Sequence, residues 1–131
     1  MHLFAYGTLM FPAVWRRIFD FDVDGQPATL HGYAIFQIKD SPLPGIVPAG
    51  EKSQVRGTIY EKLDEETIHD LDAYESRFYQ RHRVEVILGN GTVKRCETYV
   101  VAQSQRSLLT DMTWDAAWFE QHALKEYLRG G

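Results

Sequence analysis

The chain has 131 residues, 44% of them hydrophobic and 24% charged, with a formal charge of −4 and one cysteine. That length suits a single domain over residues 1–131, able to bury a core without disulfides or metal staples. Acids and bases are mixed along the chain, which argues against the clustered basic surface that nucleic-acid backbones require.

In chain order, HLFAY is a short apolar run ending at Gly7, and its pattern predicts a buried strand. The start of the chain lacks a basic leading segment and a cleavage pattern, and no apolar run approaches membrane-spanning length. With Cys96 unable to form an internal disulfide, the expectation is a reducing, cytoplasmic setting with no membrane partner. Residues 8–20 carry Leu9, Val14, Trp15 and Ile18, a short helix behind Pro12. Residues 28–39 are rich in β-formers and predict a strand with an irregularity at Gly32. Residues 41–53 hold three prolines and two glycines and predict a loop. Residues 55–63 predict another strand.

DEETIHDLDAYE predicts a helix capped by Asp64, with Glu65 and Glu66 at its positive end. HRVEVILGNGTVKRCETYVV predicts a hairpin. Val84, Val86 and Leu88 alternate with polar residues, and Asn90-Gly91 supplies the positive φ angles of a tight turn. TWDAAWFEQHALKEYLRGG predicts one amphipathic helix, with Thr113 at its start, Trp114, Trp118 and Tyr127-Leu128 near one face, and Gly130 as its stop. The tally of about five strands and two or three helices, mostly with antiparallel-style connections, makes the class α+β, with a curled sheet or small barrel.

One acid stands out. Glu75 follows Leu71 by four positions and Ile68 by seven, so all three share the apolar face of their helix. A carboxylate there either pairs with a buried base, for which Arg77, Arg81 and Arg83 are the neighbours, or stays partly desolvated with a raised pKa. Tyr74, Phe78 and Tyr79 are the rings placed to strip its water.

YGTL at 6–9, PGIVP at 44–48, VRGTIYEKLD at 55–64, and LDAYE at 71–75 followed by FYQRHRVEV form an ordered set. Over roughly residues 1–101 this set resembles the gamma-glutamylcyclotransferase-like family, in particular its gamma-glutamylamine cyclotransferase and avirulence-induced-gene-like members. The resemblance implies a small mixed β-barrel or strongly curled sheet with flanking helices and a pocket at the end of the first strand. It implies a cyclising lyase or transferase that needs no cofactor and releases 5-oxoproline from small gamma-glutamyl amides or amines. The family's catalytic glutamate matches Glu75, and its substrate-binding loop matches Tyr6, Gly7, Thr8 and Leu9. A recurring Tyr-x-Arg matches Tyr79, which would line the pocket, and Arg81, which would brace the sheet. One departure is visible: many members have glycine after the glutamate, where this chain has Ser76.

The residues suit that chemistry. A substrate α-amine attacking its own γ-carbonyl needs a base to free it and an acid for the leaving amine, and one carboxyl group can serve as both. A glutamate at its ordinary pKa of about 4.3 is a feeble base, and desolvation improves the match. A strand ending at Gly7 can aim backbone N–H groups at the γ-oxyanion or at the substrate α-carboxylate.

Other candidates carry less. The five histidines show no zinc spacing, so no metal site is expected. Cys96 lies in a predicted strand and lacks an activating partner. Thr8 lacks a base that would make it a nucleophile. LRGG at the end of the chain is shared with ubiquitin-like modifiers, and its plainer reading is a helix cap and a frayed end. A non-catalytic small-molecule binding module on the same fold is the alternative to the enzyme. Oligomeric state cannot be read from these residues.

Overall fold

The computed structural model describes residues 1–19 and 21–130. Its strands are β1 (Leu3–Ala5), β2 (Gly25–His31), β3 (Tyr33–Ile38), β4 (Pro44–Pro48), β5 (Gln54–Tyr60), β6 (Tyr79–Leu88), β7 (Val93–Val101) and β8 (Leu109–Thr113). Its helices are α1 (Pro12–Phe19), α2 (Glu65–Glu75), α3 (Ala116–His122) and α4 (Leu124–Leu128). Five strands close a barrel in the order β1-β5-β2-β6-β7, and a three-stranded sheet runs β4-β3-β8. The barrel pairs are antiparallel except at its seam, where β1 meets β7 in parallel at Leu3 and Glu97. None of the described helices is long and apolar enough to cross a membrane.

β1 is buried on both faces, which explains its apolar run. Phe4 and Tyr6 join the barrel interior with Leu30, Val55, Ile59 and Val86. Leu3 and Ala5 face outward, against Val14 and Trp15 of α1 and Ile68 and Leu71 of α2. Burying a large apolar side chain stabilises by about 1.5–3 kcal/mol, so these two layers carry most of the folding energy. Thr98 is fully buried, and its hydroxyl donates to the Phe4 carbonyl at 2.9 Å.

Three expectations need correction. Residues 28–39 are not one strand. Gly32 adopts φ +85°, the chain turns there, and β2 enters the barrel while β3 enters the smaller sheet. The segment 41–53 is not all loop, because Pro44–Pro48 pairs with β3 as β4. β4 is an edge strand and its prolines stand at its ends, where a missing N–H costs least. The tail is not one helix from Thr113. Thr113 ends β8 opposite Phe36, and Asp115 is the cap, accepting from the N–H groups of Ala117 and Trp118. The helix then breaks at Ala123 into α3 and α4. Trp114 precedes the helix and is buried, whereas Trp118 is exposed, so the two do not share a face. The open edge of β3 claims residues 109–113, a tertiary demand that helical periodicity does not register. Gly130 has φ +86°, as a helix stop requires, and Gly131 lies outside the described residues.

The hairpin of β6 and β7 forms as expected, with Val84, Val86 and Leu88 inward. Its turn is longer than two residues, and only Gly91 takes a positive φ. Leu88 accepts from the Gly91 N–H and donates to the Thr92 carbonyl, each at 2.9 Å.

The tightest backbone approach in the barrel is at Gly57. A Cβ there would lie 2.3 Å from the Ala5 carbonyl oxygen and 2.7 Å from the Phe4 ring. Gly57→Ala is therefore expected to destabilise by about 3 kcal/mol or more. Gly89→Ala, with nothing within 4 Å, should stay within about 0.5 kcal/mol of the parent. Urea denaturation of the two variants checks the contrast.

Candidate active site

α2 forms because its N-terminus is capped and one stripe of it is apolar. The Asp64 carboxylate accepts from the Thr67 N–H at 2.7 Å, and Glu65 and Glu66 occupy the first turn. Thr67, Ile68 and Leu71 are buried against the barrel. Glu75 continues that stripe in the last turn and is half-buried. Ser76 then stops the helix at φ +61°, ψ −165°, with its N–H bonded to the Asp72 carbonyl. That backbone conformation is essentially one for glycine. Ser76 thus makes a glycine-type turn with a side chain present, at a cost in strain.

Glu75 opens into a cavity of about 340 Å³ at the end of β1. Tyr6, Gly7, Thr8 and Leu9 form part of its wall, so all five candidate residues meet at one cavity. The arginine bridge weighed for Glu75 does not form. Arg81 pairs instead with Asp72 at 3.0 Å and with Glu97 at 2.8 Å, and Arg83 lies 3.8 Å from Glu97. Among the described residues no ion pair includes Glu75. Arg81 therefore braces helix and barrel, and Tyr79 lines the cavity.

With no counter-ion beside it, Glu75 is left to desolvation, which pushes its pKa up to about 8. Tyr74, Phe78 and Tyr79 all line the cavity, but Tyr74 is 36% exposed and shields less than expected. Tyr6 and Tyr99 close in from the barrel side. Burial first, with the charge of Glu75 among the further causes, raises the Tyr6, Tyr79 and Tyr99 hydroxyls above their ordinary value. Their protons are already committed. Tyr6 donates to the Tyr99 carbonyl at 2.6 Å, Tyr79 to the Pro44 carbonyl at 2.6 Å, and Tyr99 to Asp72 at 2.7 Å.

The loop after β1 is held by its carbonyls. The Leu9 carbonyl accepts from both the Trp15 indole and the Tyr60 hydroxyl, each at 2.7 Å. The Gly7 and Thr8 carbonyls accept from Met10 and Phe11 at 3.0 and 3.1 Å. Among the described residues, no hydrogen bond engages the N–H groups of Gly7, Thr8 or Leu9. Glycine is needed here for close approach, since a Cβ at Gly7 would lie 2.9 Å from the Pro44 ring.

Sequence reasoning missed Ile38, Leu43, Pro44, Tyr99 and Tyr127, which complete the wall. PGIVP carries Pro44 into the cavity, but the segment around it reads as a loop. Tyr127 comes from α4, whose placement depends on the break at Ala123.

Two outcomes test this geometry. Ser76→Gly is expected to raise Tm, because relief of roughly 1–3 kcal/mol of strain exceeds glycine's entropic cost of about 0.5–1 kcal/mol. The second concerns pH. The Glu75 pKa is raised in the fold, so the folded chain holds the proton longer than the unfolded chain does. Stability contributed by the neutral acid is complete below about 4.5 and is lost as pH rises through about 8. Glu75→Gln should match the parent in Tm near pH 4.5 and exceed it increasingly up to pH 8. Parallel Tm profiles for the two proteins would contradict the burial of this acid.

The chain matches the model of the family described as gamma-glutamyl cyclotransferase, AIG2-like, over residues 3–116. It is similar to Protein AIG2 C of Arabidopsis thaliana, at 34% identity over 100 residues, 76% of this chain and 60% of that protein. AIG2-like protein D of the same plant is 30% identical over 132 residues, 98% of this chain and 86% of that protein. The chain thus spans about three fifths of the length of the first of these relatives. A solution structure from Arabidopsis thaliana superposes with a TM-score of 0.77 at 28% identity, covering 98% of this chain and 78% of that one. A structure of a gamma-glutamyl cyclotransferase shares the fold, with a TM-score of 0.68 at 14% identity, covering 99% of this chain and 98% of that one. The barrel with its flanking helices and the ordered motifs along the chain therefore have one source: this protein belongs to the gamma-glutamyl cyclotransferase, AIG2-like family.

Proposed function

We propose that this chain is a cofactor-independent cyclotransferase that converts small gamma-glutamyl amides or amines into 5-oxoproline and a free amine, with Glu75 as general acid and base. One observation carries the reading. Among the described residues, a carboxyl group without an ion-pair partner faces the same cavity as a loop whose N–H groups are unengaged.

Before substrate binds, Glu75, raised to about 8, is mostly protonated at neutral pH. A substrate α-ammonium supplies the missing counter-charge and favours the carboxylate. The carboxylate then takes a proton from the ammonium, and the freed amine attacks the γ-carbonyl carbon. The new C–N bond closes a five-membered ring and puts negative charge on the γ-oxygen. In this reading the N–H groups of Gly7, Thr8 and Leu9 stabilise that oxygen or hold the substrate α-carboxylate. As the intermediate collapses, Glu75 gives its proton to the leaving nitrogen and the bond to that nitrogen breaks. Glu75 then takes the remaining excess proton from the ring nitrogen, and the departing amine carries it away as an ammonium. Protons and electrons balance, and no oxidant or external nucleophile enters.

The magnitudes are adequate. Holding the two reacting groups of one molecule in a near-attack pose is worth roughly 7–11 kcal/mol. Positioned acid–base catalysis adds about 10²–10⁴-fold.

Incubation with a panel of gamma-glutamyl amines should release 5-oxoproline, and Glu75→Gln should lower kcat by about 10²-fold or more while substrate still raises its Tm. Equal turnover by the two proteins would remove Glu75 from the mechanism. Stabilisation by panel members with no 5-oxoproline from any of them would assign the cavity to binding alone.

A further inference from the structure

We propose that the amine half of the substrate is apolar, a simple alkyl or arylalkyl amine, rather than an amino acid or a polyamine. This deepens the cyclotransferase reading and rests on it.

The argument starts from which charges the cavity can match. Among the described residues, Glu75 is the only acid in its lining, and no lysine, arginine or histidine lines it. A gamma-glutamyl group already brings one ammonium and one carboxylate. Glu75 answers the first, and the free N–H groups of the loop answer the second. That uses the ionic complement of the site.

The remaining wall is hydrocarbon and neutral hydroxyls, and among the described residues it brings no second charge. Ile38, Leu43, Pro44 and Phe78 present hydrocarbon surface. The hydroxyls of Tyr6, Tyr79 and Tyr99 give their protons to protein acceptors, and those of Thr8, Tyr74, Ser76 and Tyr127 are neutral, so a second carboxylate meets no cation in the described wall. Asp72, which accepts from Tyr99, is paired with Arg81 and offers no free charge to a second ammonium. Arg17 is close enough for its charge to act on the Tyr127 hydroxyl, but Arg17 is exposed, where charge is screened by solvent.

A charged group on the leaving half would thus be desolvated with no opposite charge beside it, whereas an alkyl or aryl group would gain from the hydrocarbon part of the wall. A cavity of about 340 Å³ is also near the lower end of the roughly 300–1,000 Å³ typical of ligand pockets, which favours a short leaving group.

The test uses the full chain and substrates that share the gamma-glutamyl group. The apolar arm is gamma-glutamylbutylamine and gamma-glutamylphenethylamine. The charged arm is gamma-glutamylalanine, gamma-glutamyl-ε-lysine and gamma-glutamylputrescine. Release of 5-oxoproline is followed for each, and kcat/KM is expected to be at least about tenfold higher for the better apolar conjugate than for any charged one. A smaller ratio, or a preference for a charged conjugate, overturns the specificity and leaves the cyclotransferase reading standing. No 5-oxoproline from either arm overturns both.

Discussion

Asp72, and not Glu75, takes the arginine. The two acids are three residues apart on α2, and Arg81 on β6 is close in sequence to both. Asp72 accepts from the Arg81 guanidinium at 3.0 Å and from the Tyr99 hydroxyl at 2.7 Å, and Arg81 reaches on to Glu97 at 2.8 Å. Partly exposed ion pairs of this kind contribute only about 0–1 kcal/mol each. The importance of the network lies in what it withholds. With Arg81 engaged on one side of the helix, Glu75 enters the cavity without a counter-ion, and its environment sets its proton affinity.

An unpaired, desolvated acid costs free energy, and the rest of the fold offsets that cost. β1 buries both of its faces, so the strand that leads into the cavity is among the most firmly held segments. The loop behind it is fixed through its carbonyls, two donors converging on Leu9 alone. Bonding through the carbonyls leaves the N–H groups of Gly7, Thr8 and Leu9 without a partner among the described residues. β4 adds the outer wall. Its Pro44 packs on Gly7 and accepts from Tyr79, linking the small sheet to the barrel at the cavity.

Ser76 shows a local rule yielding to the site. A non-glycine residue at φ +61° and ψ −165° is strained, yet the turn it makes ends α2 immediately after Glu75 and sends the chain into β6. The direction of the Glu75 side chain and the position of Tyr79 both depend on that turn. The side chain of Ser76 adds a weak local contact, its Oγ accepting from the Phe78 N–H at 3.4 Å.

Short-range physics already settled much from the residues alone. The cap at Asp64 follows from residue type, and the apolar stripe through Ile68 and Leu71, the inward position of Glu75 and the alternation of Val84, Val86 and Leu88 follow from periods of two or about four residues. The ordered motifs placed Glu75 with Tyr6–Leu9 and gave the barrel class. Tertiary structure decided the rest, because it depends on contacts between distant residues. Which acid receives Arg81 depends on the β6–β7 register, which sets Arg81 opposite Tyr99. That 109–113 is a strand depends on the open edge of β3, 71 to 77 positions earlier in the paired register. Tyr99 and Tyr127 enter the cavity only because the barrel closes and the last helix breaks. A local pattern can say which way a side chain points, but which groups it meets there depends on how the chain closes on itself.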